Sequence, residues 1–289
     1  MFDLILISTC CDHNNIYKLI QSVIDNNKDL NCLLIIVNQV PDEINYVNTN
    51  SKTVLKIIEH GKKENSSVAR NVAISYIKEL AISAQFVAFP DDDSSYDKFF
   101  FSTLMSFIGG NKLNNYVTDV YCTGTKNLFR TINHIDGALL NAKDFYSVGA
   151  VNLVLNYSTF SKTLFFDERF GVNAQYGAGE DGDYFLRALK FENFYYSNKL
   201  FSFHPSADSK YKSLTYKQLR SRLRNYARGC IALLCKHKMY WAALKLTFRA
   251  LGGSVLYLLK LQFSTALAYF EAFFVRLNCL IKYSFSSFN

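Results

Sequence analysis

The sequence predicts an α/β fold: a mostly parallel sheet with helices on both faces, followed by C-terminal amphipathic helices. Three observations lead to this fold class. Over about the first 90 residues, short apolar runs alternate with segments of helical spacing, which is the pattern of βαβ units. Hydrophobic residues make up 49% of the chain and proline only 3 positions, a composition that argues against disorder. From Leu214 onward the pattern becomes helical and basic.

The predicted strands of the first part are short, continuous apolar runs, as expected for strands covered on both faces. They fall at residues 4–7, 33–37, 54–58 and 86–89. Apolar residues at helical spacing predict helices at 15–24 and 67–80. Asn65 or Ser66 is the expected N-cap of the second helix.

The middle of the chain is less regular. Between residues 99 and 165 we expect only short strands, at 120–123 and 151–155. A helix is predicted over 180–189 and a last strand over 201–203. These elements predict one α/β domain over residues 1–208 and a basic helical region over 209–289.

The charge of the chain is unevenly distributed. The net charge is +8, yet residues 209–270 contain twelve Lys or Arg and no Asp or Glu, so the remainder carries −4. This asymmetry indicates an anionic partner such as nucleic acid, lipid headgroups or phosphate. The longest uncharged stretches, 250–259 and 261–270, are shorter than the ~20 residues that span a bilayer. We therefore expect amphipathic helices that lie in the membrane interface.

The cysteines and the N-terminus indicate an intracellular protein. The seven cysteines are scattered and form no CxxC pair, so reduced thiols are expected rather than a zinc site. The N-terminus has no basic region and only a short apolar run, so no secretion signal is expected.

Asp91, Asp92 and Asp93 follow the strand at 86–89 directly after Pro90. Ligands of open α/β sheets bind beyond the carboxyl ends of strands. Three adjacent acids repel one another unless a cation lies among them, and oxygen ligands suit Mg²⁺ or Mn²⁺. A solvated acidic turn that caps the next helix is the alternative.

A second acidic group opens the helix predicted at 180–189. Glu180, Asp181 and Asp183 lie among glycines, which would let a substrate approach the backbone. One of these carboxylates could act as a general base toward an acceptor hydroxyl. A favourable interaction of acids with the helix dipole is the alternative, and it suffices for Glu180 or Asp183 taken alone.

Two further residues are candidates for the same edge of the sheet. Arg70 lies near the start of the helix at 67–80 and could pair with a diphosphate, whereas a plain surface arginine is the alternative. His204 follows the last predicted strand and precedes Pro205. A structural hydrogen bond is the more usual role of such a histidine.

Taken in order, these motifs resemble glycosyltransferase family 2. The resemblance covers roughly residues 2–205, and the segments 226–229 and 251–253 look like a bacterial surface-polysaccharide branch of that family. No single motif is specific, but the ordered set is. The matching elements are Thr9, Val68-Ala69-Arg70-Asn71, Phe89-Pro90-Asp91-Asp92-Asp93, Asp167-Glu168-Arg169-Phe170-Gly171, Gly179-Glu180-Asp181 with Arg187, and His204-Pro205.

The resemblance implies a GT-A-type, Rossmann-like domain over residues 1–208, a divalent cation (Mn²⁺ or Mg²⁺) and inversion at the anomeric carbon. It implies Asp181 as catalytic base, with Glu180 beside it as a supporting or acceptor-binding residue. The implied metal ligands are Asp93, Asp91 and His204. The implied donor-binding residues are Thr9, Asn38, Arg70, Asp91, Asp92 and Gly149. Asn38 stands where the family often has an Asp that binds the nucleotide base, which leaves the nucleotide open.

The function implied is transfer of a sugar from a nucleotide-sugar donor to a hydroxyl of a glycan or lipid-linked oligosaccharide, in the synthesis of capsule, exopolysaccharide or O-antigen. We expect peripheral attachment to an anionic membrane, at the cytoplasmic face of the inner membrane. Packing on the catalytic domain or a homodimer is the alternative for the basic region. A catalytically degenerate scaffold, a nucleic-acid-binding protein and a nucleotidyltransferase are the rival functions. We expect no nucleic-acid partner, because no recognised nucleic-acid-binding motif occurs.

Overall fold

The computed structural model describes residues 1–125, 127–130, 132–206 and 214–284. The chain forms two compact units. The first comprises Met1–Phe166 and Tyr184–Ser206, and the second comprises Asp167–Asp183 and Ala207–Asn289. The domain boundary predicted between residues 208 and 209 lies outside the described residues and stays a prediction.

The described part of the first unit contains a seven-stranded sheet with the order β3-β2-β1-β4-β6-β5-β7. Strand β6 runs antiparallel to its neighbours β4 and β5. The pairs β1–β2, β1–β4, β2–β3 and β5–β7 are parallel, which confirms the mostly parallel sheet. The strands are β1 Phe2–Cys10, β2 Cys32–Asn38, β3 Thr53–Glu59, β4 Ala84–Ala88, β5 Asn115–Cys122, β6 Leu153–Asn156 and β7 Phe194–His204.

Helices cover both faces of this sheet, as predicted. Leu4 and Leu6 of β1 belong to one buried cluster with residues of α1 and α3. Successive strand residues point to opposite faces, and α2 packs against β1 and β2, where Ile5 and Ile7 are buried outside that cluster. The helices of this unit are α1 His13–Asn26, α2 Ser66–Glu79, α3 Lys98–Gly109 and α4 Tyr157–Thr163. The next helix, α5 Glu180–Ala188, has its first four residues in the second unit and the rest in the first.

The main differences from the sequence prediction concern three elements. Helix α3 was not predicted, because its run of phenylalanines lacks a clear helical period. Helix α4 was not predicted, because its sequence is rich in Ser and Thr, which are common in loops. The side chain of Asn156 caps this helix by accepting from the Thr159 N–H at 2.7 Å. Strand β7 is longer than expected, since an irregularity in its pairing with β5 places the polar residues 198 and 199 inside the strand.

The described part of the second unit contains α6 Tyr216–Lys236, α7 Tyr240–Leu259 and α8 Phe263–Ser284. Helices α7 and α8 form a tightly packed hairpin. The Ser254 hydroxyl of α7 donates to the carbonyl of Ala266 at 2.9 Å, and the rings of Tyr257 and Tyr269 stack with centroids 5.2 Å apart. The C-terminal amphipathic helices of the prediction are therefore present.

Helices α7 and α8 are, by length and composition, each able to cross a membrane, with mean hydropathies of 1.3 and 1.2. Only 17% of each apolar window is buried. The uncharged runs of this region are shorter than a membrane span, as expected, but the helices that contain them reach 20 and 22 residues because they include charged positions such as Lys245 and Arg249. The interfacial position expected for these helices stays a prediction.

Candidate active site

The candidate site lies at the carboxyl edge of the central strands in the first unit. Parallel pairing sets Thr9 beside Val37 and Cys10 beside Asn38, so these strand ends share one edge. Strand β4 leads to the same edge, because Ala88 pairs with Leu6. The acidic segment that follows β4 therefore emerges beside the end of β1.

Asp91, Asp93 and His204 come together at this edge. The Nε2 atom of His204 lies 3.0 Å from Oδ1 of Asp93 and 3.7 Å from Oδ2 of Asp91. One ligand atom from each of the three residues falls within 4.8 Å of the others. The structure thus unites the three residues that the sequence predicted as metal ligands.

A short backbone pairing positions His204. The N–H of Ser95 donates to the carbonyl of Phe203, and the N–H of Phe203 donates to the carbonyl of Ser95, both at 2.9 Å. This bridge joins the segment after Asp93 to the end of β7. On the other side, the ring of Phe129 packs on the imidazole of His204 with centroids 4.3 Å apart.

The chemistry of this cluster fits a divalent cation. The two carboxylates supply the hard oxygen ligands that Mn²⁺ and Mg²⁺ prefer, and a histidine nitrogen is a common metal ligand in proteins. The Nδ1 atom of His204 lies 2.8 Å from the carbonyl of Pro205, so that Nδ1–H donates outward and Nε2 faces the carboxylates. Burial lowers the pKa of His204, but its hydrogen bond with Asp93 and the charges of Asp93 and Asp91 outweigh burial and raise that pKa.

Arg70 contacts the same cluster from α2. Its guanidinium is 7% exposed and donates from Nη2 to Oδ1 of Asp91 at 3.1 Å. It also lies over the ring of Phe166, 5.2 Å from the centroid. Asn71, the next residue, exchanges two hydrogen bonds with the backbone of Phe166. Arg70 therefore holds the carboxylate of Asp91, and direct contact with a donor stays a prediction.

Asp92 turns away from its two neighbours and toward β1. Its Oδ2 accepts from the backbone N–H of Cys11 at 3.3 Å. Burial raises the pKa of Asp92 to about 6, with the nearby charges of Asp93 and Asp91 adding to the shift. Thr9 lies half-buried two residues before Cys11. Both predicted donor-binding residues therefore lie at the candidate edge.

Asn38 lies at this edge, but its side chain is buried and engaged within the protein. Its amide nitrogen donates to Oε2 of Glu59 at 2.6 Å and to the carbonyl of Asp42 at 2.8 Å. Its Oδ1 accepts from the N–H of Val40. Asn38 thus ties the ends of β2 and β3 together. The exposed carboxylate of Glu59 at the end of β3 was not found by sequence reasoning, because an isolated Glu after a strand carries no signal.

Gly149 is buried beside a residue that the sequence analysis missed. A Cβ added at Gly149 would lie 3.0 Å from the guanidinium of Arg130, and Arg130 donates from Nη1 to the carbonyl of Val148 at 2.5 Å. Arg130 directly follows Phe129, the residue that packs on His204. Nothing in the local sequence marks Arg130, since its position depends on the approach of two loops.

Glu180 and Asp181 lie in the second unit, in the first turn of α5. Both side chains are partly exposed, whereas Asp183 of the same turn is fully buried. Solvent can therefore reach Glu180 and Asp181 but not Asp183. This exposure is compatible with the predicted roles of Glu180 and Asp181, which stay predictions.

Comparison with solved structures identifies the fold. The chain is similar to S. aureus TarS 1-349 in complex with UDP-GlcNAc, with a TM-score of 0.59 at 13% identity over 98% of this chain and 89% of that chain. The chain has a GT-A-type fold. It is also similar to S. aureus TarS, with a TM-score of 0.55 at 13% identity over 79% of this chain, and it spans 43% of that chain.

A further GT-A-type neighbour is GalNAc-T7 with UDP, GalNAc and Mn²⁺, with a TM-score of 0.50 at 10% identity. That match covers 82% of this chain and 51% of the other. No protein-family model and no curated protein matches the sequence. The likeness therefore establishes the GT-A fold, and the resemblance to family 2 stays a prediction from the motifs.

Proposed function

We propose that this protein is a metal-dependent glycosyltransferase that uses a nucleotide-sugar donor. The observation that carries the proposal is the cluster of Asp91, Asp93 and His204 at the carboxyl edge of a GT-A-type sheet. The neighbours TarS and GalNAc-T7 hold UDP-GlcNAc and UDP with Mn²⁺ respectively, which supports a nucleotide-sugar donor and a divalent cation here.

In the proposed reaction, an acceptor hydroxyl attacks the anomeric carbon and the nucleoside diphosphate leaves, with inversion. Asp91, Asp93 and His204 would hold Mn²⁺ or Mg²⁺, which when bound supplies positive charge for the departing diphosphate. Arg70 keeps the carboxylate of Asp91 in place through its buried guanidinium. Asp181 takes the proton of the attacking hydroxyl, with Glu180 beside it.

The proposed acceptor is a glycan or lipid-linked oligosaccharide of a surface-polysaccharide pathway, met at the cytoplasmic face of the inner membrane. Two features of the second unit support membrane attachment. Large apolar side chains are exposed around the α7–α8 turn, with Leu259 77%, Leu261 75% and Phe263 63% exposed. The same region is basic, with twelve Lys or Arg and no acid between residues 209 and 270, which suits anionic headgroups.

Donor hydrolysis tests the proposed reaction. Purified protein is incubated with Mn²⁺ or Mg²⁺ and a panel of nucleotide sugars without acceptor, and the released nucleoside diphosphate is measured. We expect slow, metal-dependent release from one donor. Asp93→Asn, which keeps the shape but removes the charge, should abolish it, whereas the exposed Asp29→Asn should not.

Binding of the same panel, measured by calorimetry, separates the outcomes. A donor that binds only with metal but is not hydrolysed would indicate an enzyme that requires its acceptor. Neither binding nor release with any donor would contradict the proposal and favour a scaffold that has lost its chemistry.

A further inference from the structure

Asp183 is the buried acid of the first turn of α5, and two residues at the end of α6 hold it. Its side chain is 0% exposed, and its Oδ1 lies 2.6 Å from Nζ of Lys236 and 2.9 Å from Nε2 of His237. A buried carboxylate is stable only when charged or hydrogen-bonding groups surround it. Lys236 and His237 therefore fix where this turn lies.

Lys236 links Asp183 to a second acid of the same unit. Lys236 also lies 2.7 Å from Oδ2 of Asp167, and Arg169 donates to the same oxygen at 2.7 Å. Burial raises the pKa of Asp167, but the hydrogen bonds from Arg169 and Lys236 outweigh burial and hold that pKa well below its usual range. Lys236 thus bridges Asp183 and Asp167, and Nε2 of His237 faces the same oxygen of Asp183.

The backbone before this turn is held against the same helix. A Cβ added at Gly229 of α6 would lie 2.3 Å from the carbonyl oxygen of Ala178, so the two backbones touch. Gly177 has a φ of +76° and lies against Asn225, and Gly179 has a φ of +101°. The N–H of Asp183 donates to the carbonyl of Gly179 at 2.9 Å. Residues 177–183 are thus fixed at both ends.

We propose that Lys236 and His237 are positioning residues for Asp181. This inference rests on the proposed function, in which Asp181 removes the acceptor proton. Glu180 and Asp181 lie between the contact of Ala178 with Gly229 and the contact of Asp183 with Lys236 and His237. Loss of the second contact lets the turn move, and a displacement of about 1 Å in a catalytic group can cost ~10²-fold in rate.

The test compares His237→Met with His237→Gln. A glutamine amide can place an N–H near the position of Nε2 and keep the bond to Asp183, whereas methionine fills similar space without a donor. Release of UDP from UDP-GlcNAc with Mn²⁺ gives kcat and KM. For His237→Met we expect a kcat lower by ~10²-fold with KM unchanged, because the metal and donor residues lie in the first unit. His237→Gln should keep kcat near that of the wild-type protein.

Asp183→Asn is a second variant that preserves shape and is expected to behave as His237→Met. His134→Met is the matched control, because it breaks another His–Asp pair, His134 with Asp144 at 2.8 Å in the first unit. That control should leave kcat unchanged. Equal kcat values in His237→Met and the wild-type protein, or an equal loss in His237→Gln and His237→Met, would overturn the proposal.

Hydrogen exchange provides a readout that is independent of the reaction. The amides of residues 180–184 should exchange faster in His237→Met than in His237→Gln, and unchanged exchange would contradict the proposed fixation. A wild-type protein that neither binds nor hydrolyses any nucleotide sugar would contradict the proposed function instead, and the exchange rates would still decide whether α6 fixes the turn.

Discussion

The Nε2 atom of His204 lies 3.0 Å from Oδ1 of Asp93, although the two residues belong to distant parts of the chain. The paired backbones of Ser95 and Phe203 bring them together. A residue at the end of the last strand thereby completes a cluster that begins after the fourth strand. The relationship places His204 in the cluster that we propose binds the metal.

His204→Ala should weaken Mn²⁺ binding, measured directly by the electron paramagnetic resonance signal of free Mn²⁺. Loss of residues that merely orient a ligand typically costs 10- to 100-fold in affinity, so loss of a ligand should cost at least ~10-fold. His134→Ala serves as the control and should bind Mn²⁺ as the wild-type protein does. Equal affinities in both variants would remove His204 from the site.

Asp181→Asn should fold normally and lose nearly all transfer and donor hydrolysis. A positioned general base contributes ~10²- to 10⁴-fold to the rate, and the amide cannot accept a proton. Because Asp181 is partly exposed in the first turn of α5, the thermal melting temperature of the variant should stay close to that of the wild-type protein. Turnover at the wild-type rate would assign the base to another residue, and Glu180→Gln would be the next variant to measure.

Gly229→Ala should destabilise the second unit. The added methyl group would lie 2.3 Å from the carbonyl oxygen and 2.7 Å from the carbonyl carbon of Ala178, and a backbone cannot swing aside as a side chain can. Overpacking of this kind costs ~1–3 kcal/mol, measurable by chemical denaturation.

Gly252→Ala is the matched control for that substitution. Gly252 lies exposed in α7, and no atom lies within 4 Å of the position of its added Cβ. Alanine favours a helix by up to ~1 kcal/mol over glycine, so this variant should be as stable as the wild-type protein or more so. A stable Gly229→Ala variant would show that residues 177–179 do not pack on α6.

The wild-type protein should co-sediment with vesicles that contain anionic phospholipid. Leu259 is 77% exposed beside Lys260 at the turn between α7 and α8. Leu259→Glu should lower vesicle affinity by at least about tenfold, since burial of a leucine side chain contributes ~1.5–3 kcal/mol and ~1.4 kcal/mol corresponds to tenfold. Val47→Glu changes an equally exposed apolar residue of the first unit and should have no effect.

The salt dependence of sedimentation distinguishes a surface-bound from an inserted hairpin. Binding through basic residues weakens at high salt because screening shortens the range of electrostatic attraction. Release by high salt would support peripheral attachment. Retention in high salt would indicate that α7 and α8 enter the bilayer, and no sedimentation at low salt would favour packing or dimerisation of this region.

Local patterns in the sequence determined the framework of the first unit. The apolar runs at 4–7, 33–37, 54–58 and 86–89 predicted strands β1 to β4. Of the two expected caps, Asn65 and Ser66, Asn65 is the one observed, since its side chain accepts from the Val68 N–H at 2.9 Å. The same patterns also predicted the helical C-terminal region. These features depend on neighbours in the chain, so a single sequence is enough to find them.

Only the tertiary structure decided which of the acidic residues are buried and which are exposed. In the sequence, Asp181 and Asp183 are alike, yet Asp183 is buried against Lys236 and His237 while Asp181 is partly exposed. Likewise Asn38 is engaged by Glu59, and Arg130 reaches Gly149 across two loops. Burial and partnership depend on segments far apart in the chain, and no local pattern encodes their approach. The sequence alone therefore determined which residues are candidates for the chemistry, and the fold decided which of them are buried against partners and which are exposed.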